Sequence, residues 1–238
     1  MKITNYSFFA LALLFFACQD DMPKTTNLQL EFAHKAGIED FEYGRMYENI
    51  AGNRFSLRLW RTYISDVKLL KSDGEIYSVP NSYHLIEPQN LNRFTLNLSD
   101  IPTGTYESIQ YYIGVTDEEN LSGQLVGDLD PSNNMAWNWT TGYKFIRMDG
   151  EFEDNEGNRR GVVVHIGTNE NLKLQSFTFQ NPLILGQSEG HILFELDLLE
   201  AFKSPHTIDF EVLNDFQFNN EADLIGENYA NGFIKLIK

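Results

Sequence analysis

From Leu28 to Ile237 the apolar residues arrive in short runs that alternate with polar ones. Gly, Pro, Asn or Asp closes most of these runs. A period of two puts one face of each run in a core and the other in solvent, which is the pattern of strands and not of helices. Leu28, Leu30 and Phe32 alternate in this way, as does Phe55-Ser-Leu-Arg-Leu-Trp60, which leads into Tyr63–Leu70. Ser72-Asp73-Gly74 is a hairpin signal before a further strand at Glu75–Val79. Other strands are expected at 82–86, 94–98, 108–115, 143–152, 161–166, 174–179, 191–196 and 233–237. Short helical pieces are expected at 198–203 and 222–229. No Gly/Pro/Ser-rich linker divides this stretch and no repeat has a fixed period. The expected fold class is all-β, a single β-sandwich of Ig-like, Greek-key type occupying residues 28–238. The aromatic content of 13% suits such a core.

The balance of charge removes one class of function. With 18 Lys and Arg against 34 Asp and Glu, the formal charge is −16, which disfavours binding to a phosphate backbone. The sole cysteine, Cys18, allows no intramolecular disulfide and no thiolate metal cluster. Its position is informative. Lys2 precedes the apolar run Phe8–Ala17, and the run ends in Phe15-Phe16-Ala17-Cys18. A helical membrane span needs roughly 20 apolar residues, so the run has the length of a secretory signal instead. The small residue before Cys18 resembles a bacterial lipobox. Residues 1–17 are therefore expected to be a lipoprotein signal peptide, with Cys18 lipidated and 18–27 forming a polar tether. The expected location is extracytoplasmic, anchored to the outer membrane on its periplasmic or cell-surface side. The acidic Asp20-Asp21 pair resembles the surface-export signal of Bacteroidetes lipoproteins.

Between Thr116 and Thr141 the alternation stops. The segment is long and acidic and holds Trp137 and Trp139, two of the three tryptophans. Long loops in compact domains are often functional, but packing is the commoner use of Trp, and at least one of Trp137 and Trp139 is expected to cap the sandwich with Met135. Asp128, Asp130 and Ser132 resemble the first half of an EF-hand. Asn133 stands where that motif needs Gly and Trp139 where it needs Glu, so a solvated acidic loop is the better reading. Gly186-Gln187-Ser188-Glu189-Gly190 matches G-x-S-x-G. A strand, not a helix, is expected after it, so the segment reads as a hairpin turn and not a nucleophile elbow. No complete acid–base or nucleophile set emerges, and an enzyme is not expected.

The five histidines are His34, His84, His165, His191 and His206, and none forms a tight H-x-x-x-H pair. His34, His84 and His165 each lie in or at the end of an expected strand. A sandwich can bring such strands together; for any single His, spacing alone favours an ordinary hydrogen-bonded or exposed role.

Several segments, taken in order, resemble the MbnP family, the methanobactin-operon copper proteins and their Bacteroidetes relatives. They include Phe32-Ala33-His34, Tyr47-Glu48-Asn49 with Gly52-Asn53-Arg54-Phe55, Tyr63-Ile64-Ser65-Asp66-Val67 and Tyr83-His84-Leu85-Ile86. Gly127-Asp128-Leu129-Asp130-Pro131, Met135-Ala136-Trp137-Asn138-Trp139, Gly142-Tyr143, Asp149-Gly150 and His165-Ile166-Gly167 continue the series. The resemblance runs from Leu28 to about Phe233. Trp60-Arg61-Thr62 and Asp149 depart from the family pattern and are not expected to touch a ligand. The resemblance implies a β-sandwich that binds copper outside the cytoplasm. It also implies imidazole ligands from His34, His84 and His165, and oxidation of Trp137 or Trp139 to kynurenine by a dihaem MauG-type partner. Imidazole suits copper. The rival expectation is a metal-free surface module whose aromatic loop meets a glycan or protein.

Overall fold

The computed structural model describes residues 24–120, 126–138, 142–186, 188–217 and 221–238. The signal peptide, Cys18 and Trp139 lie outside these residues. In chain order the strands are β1 (Thr25–Ala36), β2 (Glu39–Asp40), β3 (Tyr47–Glu48), β4 (Arg54–Lys71) and β5 (Ile76–Ser78). Next come β6 (Tyr83–Ile86), β7 (Thr95–Pro102), β8 (Gly104–Ile113), β9 (Ala136–Asn138) and β10 (Gly142–Glu153). The remainder are β11 (Arg159–Gly167), β12 (Lys173–Leu185), β13 (Gly190–Asp197), β14 (Asp215–Phe216) and β15 (Ile234–Leu236). The helices are α1 (Leu91–Phe94), α2 (Asp117–Asn120) and α3 (Ala222–Ala230). Strands are thus the dominant element, as the period-two pattern requires. The first strand starts at Thr25, so residues 25–27 of the expected tether are already in the sheet.

The strands form two sheets. The smaller runs β15-β13-β1-β2, with β7 also paired to β1; the larger runs β12-β8-β4-β10-β11-β14, with β3, β5 and β6 on β4 and β9 on β10. Both sheets are mixed: β1 pairs in parallel with β13 and β11 with β14. The G-x-S-x-G segment is accordingly not a hairpin turn. It carries the chain from β12 in one sheet to β13 in the other. A strand does follow it, as expected, and Gly190 answers to packing: a Cβ there would sit 2.4 Å from Leu185 Cδ2 and 2.9 Å from Leu28 Cδ1.

The inner faces meet in one large core. Phe32 of β1 stacks on Phe194 of β13 with ring centroids 5.2 Å apart, and Tyr111 of β8 meets Phe194 edge-on at 5.4 Å. At the other end Phe55, Phe202 and Phe210 form a second aromatic knot, with centroids 5.0–5.4 Å apart. Offset and edge-on pairs of this kind stabilise beyond their buried area. A smaller core lies on the outer face of the larger sheet. There Tyr63, Leu85, Tyr143 and Phe145 are covered by Leu129 and Met135 from the acidic loop. β4 supplies both cores. Trp60, Ile64 and Val67 face inward, and Tyr63 faces outward.

Where β10 passes β4 the register shifts between Asp149 and Gly150. A Cβ on Gly150 would lie 2.1 Å from the Ser56 carbonyl oxygen. Backbone there cannot yield as a flexible side chain would. Gly150→Ala should therefore cost at least ~2 kcal/mol, as overpacked cores do. Urea denaturation would show this as a lower midpoint at unchanged slope; an unchanged midpoint would mean that the strands separate freely here.

Candidate metal centre

His34 follows Leu30 and Phe32 on the inward-facing positions of β1, so the alternation that buries those two side chains buries the imidazole too. Its ring lies edge-on to Trp60 of β4, with centroids 4.7 Å apart. Phe41 meets the same indole at 5.1 Å. Nε2 of His34 is buried with no hydrogen-bond partner, as is Nε1 of Trp60. Burial drives the His34 pKa from 6.5 down to about 3, and a hydrogen bond to the Phe32 backbone opposes this only weakly. The imidazole is therefore neutral at physiological pH, with a nitrogen facing the space between the sheets.

His84 reaches that face from the other sheet. It pairs with Ile64 across β6 and β4, and cross-strand partners project to the same side. Ile64 belongs to the inner core and the flanking Leu85 to the outer one. Nε2 of His84 is likewise buried and unpartnered, and Thr62 Oγ1, on the same face of β4, shares that condition. Burial lowers the His84 pKa, with the Asp128 carboxylate acting in the opposite direction.

The acidic loop holds β6 in place. Leu85 N donates to Asp128 Oδ2 at 2.9 Å, and Tyr63 Oη donates to the Asp128 carbonyl at 2.7 Å. Arg61 Nη1 donates to Asn133 O at 2.7 Å, Arg93 Nη2 to Asn133 Oδ1 at 2.6 Å and Arg147 Nη1 to Asn134 O at 2.9 Å. The loop is thus strapped by three guanidinium groups. Asp130 caps the turn through Ser132 N at 2.8 Å. Asp128 and Asp130 are thus engaged by backbone amides, where the sequence reading expected a solvated acidic loop. Met135, one of the expected capping residues, is fully buried.

His165 stands apart. Val162, Val164 and Ile166 of β11 face the inner core, so His165 projects from the other side, opposite Arg147. Its Nε2 lies 2.7 Å from Asp149 Oδ1, its ring is 5.8 Å from that of Trp137, and Nδ1 is buried without a partner. Arg147 Nη2 is 2.7 Å from the same carboxylate. Burial alone would raise the Asp149 pKa, but the contacts with His165 and Arg147 outweigh it and the net shift is downward. Lys144 completes this outer cluster, with Nζ 4.6 Å from the Trp137 ring centroid and donating to Ala136 O at 2.8 Å. Burial, aided by Arg147, lowers its pKa to about 8.

His34 and His84 therefore share the inter-sheet face, while His165 and Trp137 lie on the opposite side of the larger sheet. Among the described residues, no three of His, Cys, Asp and Glu form a metal-binding group. The two departures expected to stay clear of the candidate ligand residues do not: Trp60 touches His34, and Asp149 is bonded to His165. The alternation from Trp60 to Ile64 could have placed Trp60 on the inner face, but its proximity to His34 crosses between sheets. His191 and His206 lie elsewhere, paired with Glu31 at 3.0 Å and Glu227 at 2.6 Å.

Fold and site define a class: an all-β sandwich with two neutral imidazoles, His34 buried and His84 half-buried, on the inner faces of its sheets. The MbnP family model matches residues 25–221, and the chain belongs to the MbnP family. The solved structure of MbnP from Methylosinus trichosporium is similar, with a TM-score of 0.56 and 19% identity over 78% of this chain and 81% of that one. At that identity the likeness is one of fold. No curated protein matches the chain.

The lowered pKa values of these two imidazoles make stability pH-dependent. In the unfolded chain both titrate near 6.5, whereas in the fold His34 titrates near 3 and His84 below its usual value. The unfolded state therefore takes up protons first as pH falls. Their contribution is complete above pH ~6.5 and is lost progressively below it. His34→Leu should flatten the acid limb of denaturation midpoint against pH relative to the parent. Parallel curves would show that His34 takes up its proton as readily in the fold as in the unfolded chain.

Proposed function

We propose that this MbnP-family chain is a copper-binding lipoprotein of the cell envelope that acts in copper acquisition or delivery and not in catalysis. The observation that carries this reading is the pair of buried, unpartnered Nε2 atoms on His34 and His84. A buried polar atom without a partner is costly, and binding a metal ion satisfies an imidazole nitrogen that has lost its water. Neutral imidazole is the form that binds, and burial keeps both rings in it. The absence of thiolate is compatible with copper held by nitrogen ligands. His34 and His84 would hold the ion. His165 is the lesser candidate, because it faces the other side of the sheet.

A tryptophan converted to kynurenine would bring an aniline nitrogen and a ketone oxygen. Among the described tryptophans, Trp60 is the one beside a proposed ligand, whereas Trp137 lies with His165 and Lys144. A dihaem MauG-type enzyme remains the proposed partner for that oxidation. The lipid on Cys18 would attach the sandwich to the membrane without spanning it.

His34→Ala and His84→Ala should each weaken copper binding at least tenfold, about 1.4 kcal/mol, in titrations that leave the circular dichroism unchanged. His191→Ala and His206→Ala serve as controls for adventitious surface binding. Equal losses at all four positions, or none at His34 and His84, would leave the metal-free binding module as the better reading. Separately, Cys18→Ala should abolish palmitate labelling and release the protein from membranes; labelling that persists would sink the anchor. Peptide mass spectrometry after co-expression with a dihaem partner should find the kynurenine mass at Trp60, and an unaltered Trp60 would remove that ligand.

A further inference from the structure

The two sheets leave a seam open on one side. There β12, an edge of the larger sheet, faces β15, an edge of the smaller, across an apolar groove of about 830 Å³. Small-molecule sites typically occupy roughly 300–1,000 Å³. Phe177, Phe179, Leu183 and Leu236 line the groove, each packed against the core yet only partly covered. Ile184 and Ile237, which also line it, are 76% and 49% exposed. Single exposed aliphatic residues are ordinary, but a set gathered round one groove marks a contact surface. The register of β12 breaks between Thr178 and Leu183, and Pro182 lies in that stretch. Both features discourage a further strand from adding to this edge. A small apolar ligand meets no such obstacle.

The groove is elongated, and its two ends differ. Along its β12 wall Ser176 pairs with Gln110 and Ile184 with Thr105, so the wall spans roughly 17 Å at the rise of a strand. Phe177 lies 5.1 Å from Phe194 between ring centroids, Leu236 pairs with Phe194, and Leu193 N donates to Lys238 O at 2.9 Å. Lys235 and Lys238, which both line the groove, therefore belong to its Phe177 end. At the other end Leu183 and Ile184 adjoin Leu185, which packs on Gly190 at the start of β13. The chain has 34 Asp and Glu, yet none is among the described residues that line this groove. Glu195 is the cross-strand neighbour of Lys235 but lies outside the lining, and Glu31 is paired with His191 at 3.0 Å. Lys35, Lys68, Lys71 and Lys203 each have a carboxylate at 2.6–2.7 Å. Among the described residues Lys235 and Lys238 have no such partner, so two uncompensated cations stand at one end of an apolar slot.

We propose that this groove binds a long-chain fatty acid. The carboxylate meets the ammonium groups of Lys235 and Lys238, and the chain runs along Phe177 and Phe179 toward Leu183 and Ile184. The apolar walls take the chain out of water, while the two cations favour an anionic head over a neutral one. None of His34, His84 and His165 lines the groove, so this binding is separate from the metal reading.

Full-length protein in phosphatidylcholine nanodiscs would be photolabelled with palmitate carrying a diazirine at its chain end, and the adducts mapped by peptide mass spectrometry. Adducts should concentrate at residues 182–184. Excess palmitate should displace them, and hexadecanol, which has the chain but not the carboxylate, should not. Lys235→Gln combined with Lys238→Gln should cut the labelling several-fold with circular dichroism unchanged. Lys203→Gln, outside the groove, controls for the loss of a positive charge. Equal displacement by hexadecanol, or unchanged labelling of the double variant, would overturn the proposal by removing carboxylate recognition. Absence of adducts from the groove would also overturn it, and a dimer seen by light scattering would then name a second copy of the chain as the occupant.

Discussion

Backbone pairing along β4 is the constraint on which the rest depends. This strand has 18 residues and pairs at different points with β3, β5, β6, β8 and β10. A strand with so many partners is buried on both faces for much of its length, so its alternate residues must serve two environments. Inward, Trp60, Thr62 and Ile64 look across to β1. Outward, Arg61 and Tyr63 receive the loop that carries Asp128 and Asn133. A slip of one residue in this ladder would exchange the two faces, placing the guanidinium of Arg61 in the core and the indole of Trp60 under the loop.

The two faces are coupled through β6. Its outward residue, Leu85, packs in the smaller core and its amide is held by Asp128; its inward neighbour, His84, presents Nε2 to the inter-sheet space. The acidic loop therefore acts on the inner site without entering it. Carboxylates that looked available for a cation are committed to backbone amides, and arginines hold the loop's carbonyls. Such networks fix geometry because each lost partner would leave a buried polar group unsatisfied. The inner face shows the opposite condition. His34, Trp60, Thr62 and His84 all retain buried polar atoms with no partner, and unsatisfied groups of this kind are uncommon in folded proteins unless a ligand or water completes them.

Periodicity made much of the fold legible. The strands around Phe32, Phe55–Trp60, Tyr143–Phe152 and His191–Leu196 are present, since each contains enough alternating residues for a half-buried surface to dominate other preferences. The break in pattern after Thr116 also marked a real change, from sheet to a strapped loop. The misreadings concern pairing. Gly186–Gly190 has the composition of a tight turn, but hairpin and inter-sheet connections draw on the same residues. Only the pairing of β13 with β1 distinguishes them. Trp60 and Asp149 were set apart as departures from a family pattern, and both contact a histidine across strands that are distant in the chain.

By itself the sequence determined the local terms: which residues alternate, where Gly and Asn permit a turn, and that His34 falls on the same face as Leu30 and Phe32. Those properties depend on neighbours within a few residues, and the chain carries them in any context. The grouping of histidines was decided only in three dimensions. His34, His84 and His165 have equivalent local settings, each on or near a strand. Whether two strands turn the same face to a common space depends on register and sheet order, which short-range pattern does not encode. Tertiary structure places His34 and His84 on the interior of the sandwich, and gives His165 to Asp149 on the other side.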